Sequence, residues 1–328
     1  MPEWPSRLQW GVSEDELVAA LARIFGQRAP TSGAVQLGIG DDAAVLAPSA
    51  ASAVLSVDAA IEGVHFRFEY ASPEQLGARA FRAAASDLAA MGATPTAALI
   101  SLALPPSRRE VILSLAEGLA DAAHACDCPV IGGNVSRASE VSIHTTVMGA
   151  HPPSRPLLTR AGARVDDGVW VTGTLGAAAL GLAAIQQGRE SEDEFARFVQ
   201  RWREGRAQLA LGRELLGVAT ACLDVSDGLL RDARRMAIAS GVTLAIDADA
   251  LPLEPAHHRG AERLALDPLA LALSGGEDYE LLFTAPASFS PPWATRIGAV
   301  HASTNAPLEV RLAGALLPLE HLGHDHFG

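Results

Sequence analysis

The fold class is set by residues 220–247, which read TACLDVSDGLLRDARRMAIASGVTLAID. The apolar run at 220–223 predicts a buried strand, and residues 228–239 carry apolar side chains at helical spacing. A second apolar run at 242–246 predicts the next strand. A strand, a helix and a strand in this order indicate an α/β domain.

The alternation of strands and helices extends over the rest of the chain. Helix starts are marked where a Ser is followed three residues later by Glu or Gln, at Ser13, Ser72 and Ser107. The first two of these helices are predicted to end at Gly26 and Gly92. Another helix is predicted to end near residue 187, and a charged helical region to cover 192–216. Further strands are predicted at 35–39, 54–57, 97–102, 130–131, 141–147, 169–172 and 281–284.

The chain has 328 residues, and at about 150 residues per domain this length predicts two domains. The Pro-rich stretch at 151–156 is the best candidate for a linker. We therefore expect an N-terminal domain at 1–150 and a C-terminal domain at 151–328. The predicted fold is a two-domain α/β (α+β) protein with mixed sheets and flanking helices.

Charge and composition exclude several classes of function. The chain has 25 basic and 38 acidic residues and a formal net charge of −13, which disfavours a nucleic-acid-binding surface. All 25 basic residues are Arg. Pyridoxal and other Schiff-base chemistry and the phosphate-binding P-loop lysine are therefore excluded.

A cytoplasmic protein without a membrane span is expected. The chain start shows no basic segment followed by an apolar run, so no signal peptide is predicted. Three cysteines cannot form a disulfide framework, which fits a reducing compartment. The long uncharged stretches at 88–107 and 168–188 are interrupted by Gly and Pro, so each is expected to form separate buried elements.

Carboxylates follow several predicted strands. The residues concerned are Asp41, Asp42, Asp58, Asp224 and Asp227. A folded sheet gathers such strand ends at one crevice, where a hard cation such as Mg²⁺ removes the repulsion between carboxylates. The alternative is that each Asp follows a strand because Asp favours turns.

Asp87 is expected on the apolar face of the helix that begins at Ser72. It lies three residues after Ala84 and four before Met91, the spacing of one helix face. A carboxylate buried there needs a cation or a set of hydrogen-bond donors, which favours a place in the same metal site. A structural ion pair with an Arg is the alternative.

Three glycine-containing segments are candidates for phosphate binding, and one of them, Gly-Thr-Leu-Gly at 173–176, precedes a predicted helix. Ser-Asp-Gly at 226–228 stands at a predicted helix start, where backbone N–H groups and the helix dipole favour an anion. Gly-Gly-Asn at 132–134 follows the predicted strand at 130–131. A tight turn explains each of them equally well.

Seven short motifs occur in one order along the chain. They are GIGDDA at 38–43, SVD at 56–58, EGVHF at 62–66, SDLAAMGA at 86–93, GGN at 132–134, DVSDG at 224–228 and SGGEDY at 274–279. In this order the motifs resemble the thiamine-monophosphate kinase family of the aminoimidazole-ribonucleotide-synthetase-like superfamily. EGVHF and SGGEDY are the strings most particular to this family.

The resemblance implies a kinase that uses ATP and several Mg²⁺ ions to convert thiamine monophosphate to thiamine diphosphate. It implies a homodimer that pairs through its first domains, with ATP held between the two domains of each chain. The implied metal ligands are Asp42, Ser56, Asp58, Asp87, Asn134, Asp224 and Asp227. The implied ATP contacts are Gly133, Asn134, Arg160 and Ser226, and the implied substrate contacts are His65, Glu277 and Phe327.

Direct in-line transfer fits both the acidic site and the resemblance. The substrate's own phosphate oxygen is the nucleophile, so no catalytic general base and no covalent phosphoenzyme are expected. Two positions depart from the family: Asn134 stands where many relatives have Asp, and His324 where Trp is frequent. The alternatives are a synthetase of the same superfamily with another acceptor, and a nucleotide-binding regulator without catalysis.

Overall fold

The structure is a computed structural model that describes residues 14–29, 33–39, 44–304 and 306–319. Five residues named above lie outside the described residues: Ser13, Asp41, Asp42, His324 and Phe327. The chain divides into two compact units. The first comprises Met1–Ser49, Leu55–Ala84 and Pro95–Met148, and the second comprises Ala50–Val54, Ala85–Thr94 and Gly149–Gly328. The domain boundary between residues 150 and 151 stays a prediction.

Strands and helices alternate through the first half of the chain. In chain order the elements are α1 (Glu14–Arg28), β1 (Val35–Leu37), β2 (Val45–Leu46), β3 (Ser52–Ile61), α2 (Pro73–Ala90), β4 (Thr94–Leu104), α3 (Ile112–Ala125), β5 (Val130–Arg137) and β6 (Ser142–His151).

The second half continues in the same way. Its elements are β7 (Asp167–Thr172), α4 (Ala177–Gln186), α5 (Ala196–Glu204), α6 (Leu209–Glu214), β8 (Ala221–Asp224), α7 (Leu229–Ser240), β9 (Thr243–Asp247), α8 (His257–Arg263), α9 (Pro268–Ser274), β10 (Leu281–Pro286), β11 (Ala294–His301), β12 (Leu308–Leu312) and β13 (Ala315–Leu316).

The described strands form three sheets. β1 pairs with β2, and a four-stranded sheet has the order β3-β6-β4-β5, in which β4 and β5 are parallel. A seven-stranded sheet has the order β13-β12-β9-β11-β7-β10-β8. Its pairs are antiparallel except for the parallel pair of β9 and β12, so it is a mixed sheet. The predicted α/β class with mixed sheets and flanking helices is confirmed.

The core of the second unit lies between the seven-stranded sheet and α7. Val171 of β7 and Ile246 of β9 pack in one buried cluster with Leu230 and Met236 of α7. Burial of each such side chain contributes about 1.5–3 kcal/mol relative to exposure. This core holds β8 and the start of α7 in place, and these two elements carry several of the predicted site residues.

The predicted capping box at the start of α2 is confirmed. The Ser72 amide donates to Gln75 Oε1 at 3.1 Å, and the Gln75 amide donates back to Ser72 Oγ at 3.3 Å. Pro73 occupies the first helical position, where its missing N–H costs nothing. α2 therefore begins where the sequence predicts and carries Asp87 in its last turns.

Two predicted helix ends are wrong. α1 continues past Gly26 to Arg28, because a glycine stops a helix only where the chain also leaves the helical conformation. The third helix does not begin at Ser107: a 3₁₀ turn covers Pro106–Val111 and α3 begins at Ile112. Local propensity places helix ends only to within a few residues.

Several elements are present that the sequence analysis did not predict: β2, α8, α9, β11, β12 and β13. The start of α9 could have been predicted from the sequence, because Asp267 followed by Pro268 is a typical helix start. In the structure Asp267 accepts from the amide of Leu269, and Pro268 is the first helical residue. Within the described residues, no helix is both long and apolar enough to cross a membrane.

Candidate active site

Two loops of the second unit meet where β8 ends and before β10 begins. Asp224 is the last residue of β8 and lies opposite the first residue of β10. The amide of Glu277 donates to the carbonyl of Ser226 at 2.8 Å, and the amide of Tyr279 donates to the carbonyl of Val225 at 2.9 Å. The structure therefore brings the predicted residues Asp224, Ser226 and Glu277 to one end of the seven-stranded sheet.

Asp224 lies near a second carboxylate, that of Asp87 on α2. Ser86, which precedes Asp87, donates its hydroxyl to Asp224 Oδ2 at 2.7 Å. Asp87 itself is half-buried between the buried Ala84 and Leu88, as its spacing predicts. Burial and the negative charge of Asp87 raise the pKa of Asp224 to about 7. A divalent cation removes this kind of like-charge cost, so the pair fits the predicted Mg²⁺.

The Mg²⁺ site stays a prediction. Among residues 14–29, 33–39, 44–304 and 306–319, no group of three or more His, Cys, Asp or Glu side chains is arranged to hold a metal ion. Asp42, which the resemblance includes in the ligand set, lies outside these residues.

Asp227 stands just before α7 and is held by arginine. Arg235 Nη1 pairs with Asp227 Oδ2 at 2.6 Å, and Arg231 Nε lies 3.8 Å from the same oxygen. Both arginines lie on α7, one and two turns after Asp227. The Asp227 carboxylate is therefore balanced by the only kind of cationic side chain that this lysine-free chain offers at neutral pH.

The backbone N–H groups just before α7 were predicted to bind an anion, and two of them have a partner within the chain. The amides of Ser226 and Asp227 both donate to Oδ2 of Asp232, each at 3.0 Å. These two N–H groups donate to a buried carboxylate of the chain and not to a bound anion. The ATP contact of Ser226 stays a prediction. Burial and the charge of Asp227 raise the pKa of Asp232 to about 6. An acid in the first turn of a helix is a readable signal, and sequence reasoning missed it.

Glu277 is held in an unusual backbone conformation. Its φ is 60°, and that of Tyr279 is 50°, which places both residues in the left-handed region. Trp202 of α5 donates its indole N–H to Glu277 Oε2 at 2.8 Å, and the Trp202 side chain is buried. The carboxylate of Glu277 is thus oriented by a rigid aromatic side chain.

A buried polar network lies behind this loop. Glu280 is fully buried and accepts from Arg201 Nη2, Thr172 Oγ1 and Gln208 Nε2, each at 2.6 Å. Asp278 accepts from the backbone at the start of α4, and burial is the main cause that raises its pKa to about 6. Arg201 belongs to the predicted charged helical region at 192–216, but its side chain is buried, at 6% exposed, and not on a solvated face.

The backbone of Arg160 lies at the opposite end of α7 from Ser226. Its carbonyl accepts from the hydroxyl of Ser240, the last residue of α7, at 3.2 Å. The 12 residues of α7 span roughly 18 Å at about 1.5 Å per residue. The structure does not bring the backbone of Arg160 to the predicted ATP contact Ser226, and the role of Arg160 stays a prediction.

In the first unit, Ser56 and Asp58 lie within β3. The strand continues to Ile61, so the prediction that Asp58 ends a strand is wrong; pairing with β6 overrides the turn preference of Asp. Asp58 is exposed, and its Oδ1 accepts from the amide of Ala59 at 2.8 Å. β3 and β5 are the outer strands of the four-stranded sheet, so roughly 14 Å of sheet separates Asp58 from Asn134.

Gly133 and Asn134 also lie within a strand. β5 continues through both and pairs in parallel with β4, so the predicted strand end at residue 131 is wrong and the alternative of a tight turn at 132–134 is excluded. A Cβ on Gly133 would lie 1.9 Å from the carbonyl oxygen of Ile100 on β4, so the glycine permits the close pairing. Both residues line a cavity of about 1130 Å³ in the first unit, together with Leu99 and His144.

His65 lies in the turn that follows β3. Its Nδ1 accepts from the amide of Ile61 at 3.2 Å, and its own amide donates to the Ile61 carbonyl at 2.8 Å. The neighbouring Glu62 pairs with Arg108 at 3.0 Å and accepts from the amide of Val141 at 3.2 Å. These bonds explain the Glu in EGVHF structurally and hold the His65 ring in one place.

Comparison with known proteins places these features in one family. Residues 40–151 match the model of AIR synthase related protein, N-terminal domain, and residues 164–288 match that of AIR synthase related protein, C-terminal domain. The chain is 35% identical over 269 residues to thiamine-monophosphate kinase of Aquifex aeolicus, over 80% of this chain and 86% of that protein.

Two solved structures extend the similarity to three dimensions. Thiamine-monophosphate kinase from Stenotrophomonas maltophilia K279a matches with a TM-score of 0.80 and 34% identity, over 90% of this chain and 96% of that chain. AaThiL complexed with AMPPCP and TMP matches with a TM-score of 0.78 and 32% identity, and the match covers 99% of this chain and 100% of that chain. The resemblance carried by the seven motifs is confirmed.

Proposed function

This chain belongs to the thiamine-monophosphate kinase family of AIR synthase related proteins, and on that basis we propose that it phosphorylates thiamine monophosphate to thiamine diphosphate with ATP. The solved relative complexed with AMPPCP and TMP supports both substrates, since AMPPCP is an ATP analogue that does not release its terminal phosphate. We propose direct in-line transfer and Mg²⁺ as the metal, with several ions bound.

The observation that carries the proposal is the carboxylate pair of Asp87 and Asp224. Burial, and after it the negative charge of Asp87, raises the pKa of Asp224 to about 7. Strongly shifted pKa values of this kind cluster at functional sites. The pair stands beside the loop that bears Glu277 and the loop that bears Ser226. The carboxylate pair, the proposed ATP contact Ser226 and the proposed substrate contact Glu277 therefore lie at one end of one sheet.

The proposed ligand sets follow the family motifs residue by residue. Mg²⁺ would be held by Asp42, Ser56, Asp58, Asp87, Asn134, Asp224 and Asp227. ATP would contact Gly133, Asn134, Arg160 and Ser226, and thiamine monophosphate would contact His65, Glu277 and Phe327.

The reaction needs no protein nucleophile. An oxygen of the thiamine monophosphate phosphate attacks the γ-phosphorus of ATP, and the bond between that phosphorus and the bridging oxygen of ADP breaks. The attacking oxygen carries a lone pair and no proton at neutral pH, so no general base is required. When bound, Mg²⁺ supplies positive charge that lowers the repulsion between the two phosphate groups.

Glu277 and Trp202 support recognition of the thiamine part of the substrate. The thiazolium ring of thiamine carries a positive charge, which a carboxylate attracts. Trp202 fixes the Glu277 carboxylate through a 2.8 Å hydrogen bond, so little orientational freedom is lost when the cation binds. This pair distinguishes a thiamine acceptor from an uncharged one.

We also propose a homodimer that pairs through the first unit. Leu55, Val57 and Leu99 are 60%, 65% and 43% exposed on the four-stranded sheet, and exposed apolar patches of this kind mark protein interfaces. Light scattering should give twice the chain mass, and Leu99→Asp should give one chain mass. A wild-type chain that remains monomeric at micromolar concentration would contradict the dimer.

The proposed compartment is the cytoplasm. All three cysteines are free in the structure, and burial raises the pKa of Cys126 to about 11 and that of Cys128 to about 12. Unreactive thiols of this kind accord with a reducing environment. The localisation stays a prediction.

The activity is tested by incubating the protein with ATP, Mg²⁺ and thiamine monophosphate. ADP release should depend on thiamine monophosphate, and thiamine diphosphate should appear in equal amount. ATP made chiral at the γ-phosphorus with oxygen isotopes should give product of inverted configuration, because a single in-line displacement inverts the phosphorus. Retention would mean a phosphoenzyme and would contradict direct transfer.

The carboxylates are tested by substitution. Asp87→Ala and Asp224→Ala should each lower turnover at least about a hundredfold with the fold intact, since metal ligands carry several kcal/mol of transition-state stabilisation. Asp193→Ala removes an exposed carboxylate of the same unit and serves as the control. Equal activity of either site variant and the wild-type chain would remove that residue from the metal set.

A further inference from the structure

The first turn of α7 is closed by the chain's own carboxylate. Asp232 is 2% exposed, and its Oδ2 accepts from the amides of Ser226 and Asp227 at 3.0 Å each. These two donors would otherwise be open at a helix N-terminus, where an anion binds readily. Asp232 therefore fixes the backbone on both sides of the Ser226–Asp227 peptide.

The second oxygen of Asp232 connects to the side chain of Asp227. Arg235 Nη1 donates to Asp232 Oδ1 at 2.8 Å and pairs with Asp227 Oδ2 at 2.6 Å. One nitrogen thus bridges two carboxylates, one buried and one 18% exposed. Asp232 holds the Asp227 amide directly and the Asp227 carboxylate through Arg235.

From this geometry we infer that Asp232 and Arg235 are positioning residues that orient Asp227 for the metal. The inference rests on the proposed function, in which Asp227 is a metal ligand. Neither residue is a catalytic residue, because each acts through Asp227. Groups that orient metal ligands typically change metal affinity by about 10- to 100-fold when they are removed.

A cap that only stabilises α7 is the competing explanation, since an acid in the first turn stabilises many helices. The two explanations differ in what a substitution changes. Loss of a cap lowers the melting temperature and leaves metal dependence unchanged. Loss of a positioning residue also raises the Mg²⁺ concentration that is needed to bind nucleotide.

The test separates the two connections of Asp232. Asp232→Asn retains an oxygen for the two amides but turns an NH₂ group toward Arg235, so the bridge to Asp227 is lost. Arg235→Ala removes the bridge and leaves the amide bonds of Asp232 intact. Arg235→Lys retains a charge near Asp227 and should restore part of the loss.

The measurement is Mg²⁺-dependent binding of AMPPCP by calorimetry, which does not require turnover. For Asp232→Asn and Arg235→Ala we expect the Mg²⁺ concentration at half-saturation to rise about tenfold. In the Asp227→Ala background neither substitution should have a further effect, because both act through Asp227. Asp267→Ala, which removes the exposed cap of α9, should lower the melting temperature without changing the Mg²⁺ requirement.

Each outcome decides between the explanations. If Asp232→Asn and Arg235→Ala bind Mg²⁺ and AMPPCP as the wild-type chain does, the inference is overturned and Asp232 is only a cap. Additive losses in the Asp227→Ala background would also overturn it. If the wild-type chain itself shows no Mg²⁺-dependent binding of AMPPCP, the proposed function fails instead, and the two failures are thereby distinguished.

Discussion

Replacement of Glu280 by Leu should destabilise the second unit strongly, because it leaves a buried arginine without its anion. Glu280 is 0% exposed and Arg201 is 6% exposed, with 2.6 Å between Oε1 and Nη2. Removing one partner of a buried ion pair costs about 3–5 kcal/mol. For a unit of about this size, each kcal/mol lowers the melting temperature by roughly 2–4 °C. We therefore expect a decrease of roughly 6–20 °C.

The double variant Arg201→Met with Glu280→Leu should be more stable than the single variant. It removes both charges of the buried pair, and apolar replacement of a whole buried pair is often close to neutral. Thr172 and Gln208 still lose their acceptor, at about 0.5–1.5 kcal/mol each. We expect the double variant to lie about 1–3 kcal/mol below the wild-type chain.

The assay is thermal and urea unfolding of both variants, followed by circular dichroism. Arg311→Met with Glu309→Leu is the matched control, because these side chains are 51% and 26% exposed and such a pair contributes about 0–1 kcal/mol. A double variant that is no more stable than Glu280→Leu would refute the reasoning. The loss would then come from packing and not from the uncompensated charge.

Three further predictions concern the capping of helices, the pairing of strands and the dependence on pH. Ser72→Ala should lower the free energy of unfolding by about 0.5–2 kcal/mol through loss of the α2 cap, and an unchanged urea midpoint would contradict the capping box. Gly133→Ala should lower stability and nucleotide affinity much more than Gly132→Ala, because its Cβ would lie 1.9 Å from a backbone oxygen and that of Gly132 3.0 Å from a flexible leucine end. Thermal unfolding and AMPPCP binding of the two variants check this, and equal effects would contradict it. Burial raises the pKa of Asp278 to about 6 in the folded chain, against about 3.9 when unfolded. Between these values the folded state binds a proton that the unfolded state does not, so stability should fall as pH rises from about 4 to 6. Asp278→Asn should weaken this dependence in melting curves recorded across that range, and an identical slope would exclude Asp278 as its source.

Much of the fold could be predicted from the sequence, because helix caps and turns depend on residues only three or four positions apart. The start of α2 follows from Ser72, Pro73 and Gln75, whose hydrogen bonds join neighbours in the chain. The strand that ends at Asp224 follows from an apolar run bounded by a turn. The seven motifs identified the family, because their strings and their order are properties of the chain alone.

The candidate site was readable in part. The spacing of Asp87 correctly predicted a place on the buried face of α2, and Asp224 lies at a strand end as predicted. Its position opposite the start of β10 came only from the structure. The turn at Gly133 and the strand end at Asp58 were wrong, because pairing with a neighbouring strand extended β5 and β3 beyond the local pattern. The partner strand of each lies elsewhere in the sequence.

The sequence by itself determined the class of fold, the family, the absence of lysine chemistry and the residues available to a metal. Only the tertiary structure decided which of those residues are buried and what each one contacts. Arg201 and Glu280 are 79 residues apart, and no local pattern separates this buried pair from the exposed charges around it. In the sequence, Asp232 is likewise an ordinary acid at a helix start. Only the structure shows that the amides of Ser226 and Asp227 donate to its carboxylate. Burial and pairing depend on which distant segments the core brings together, and that information is distributed over the whole chain.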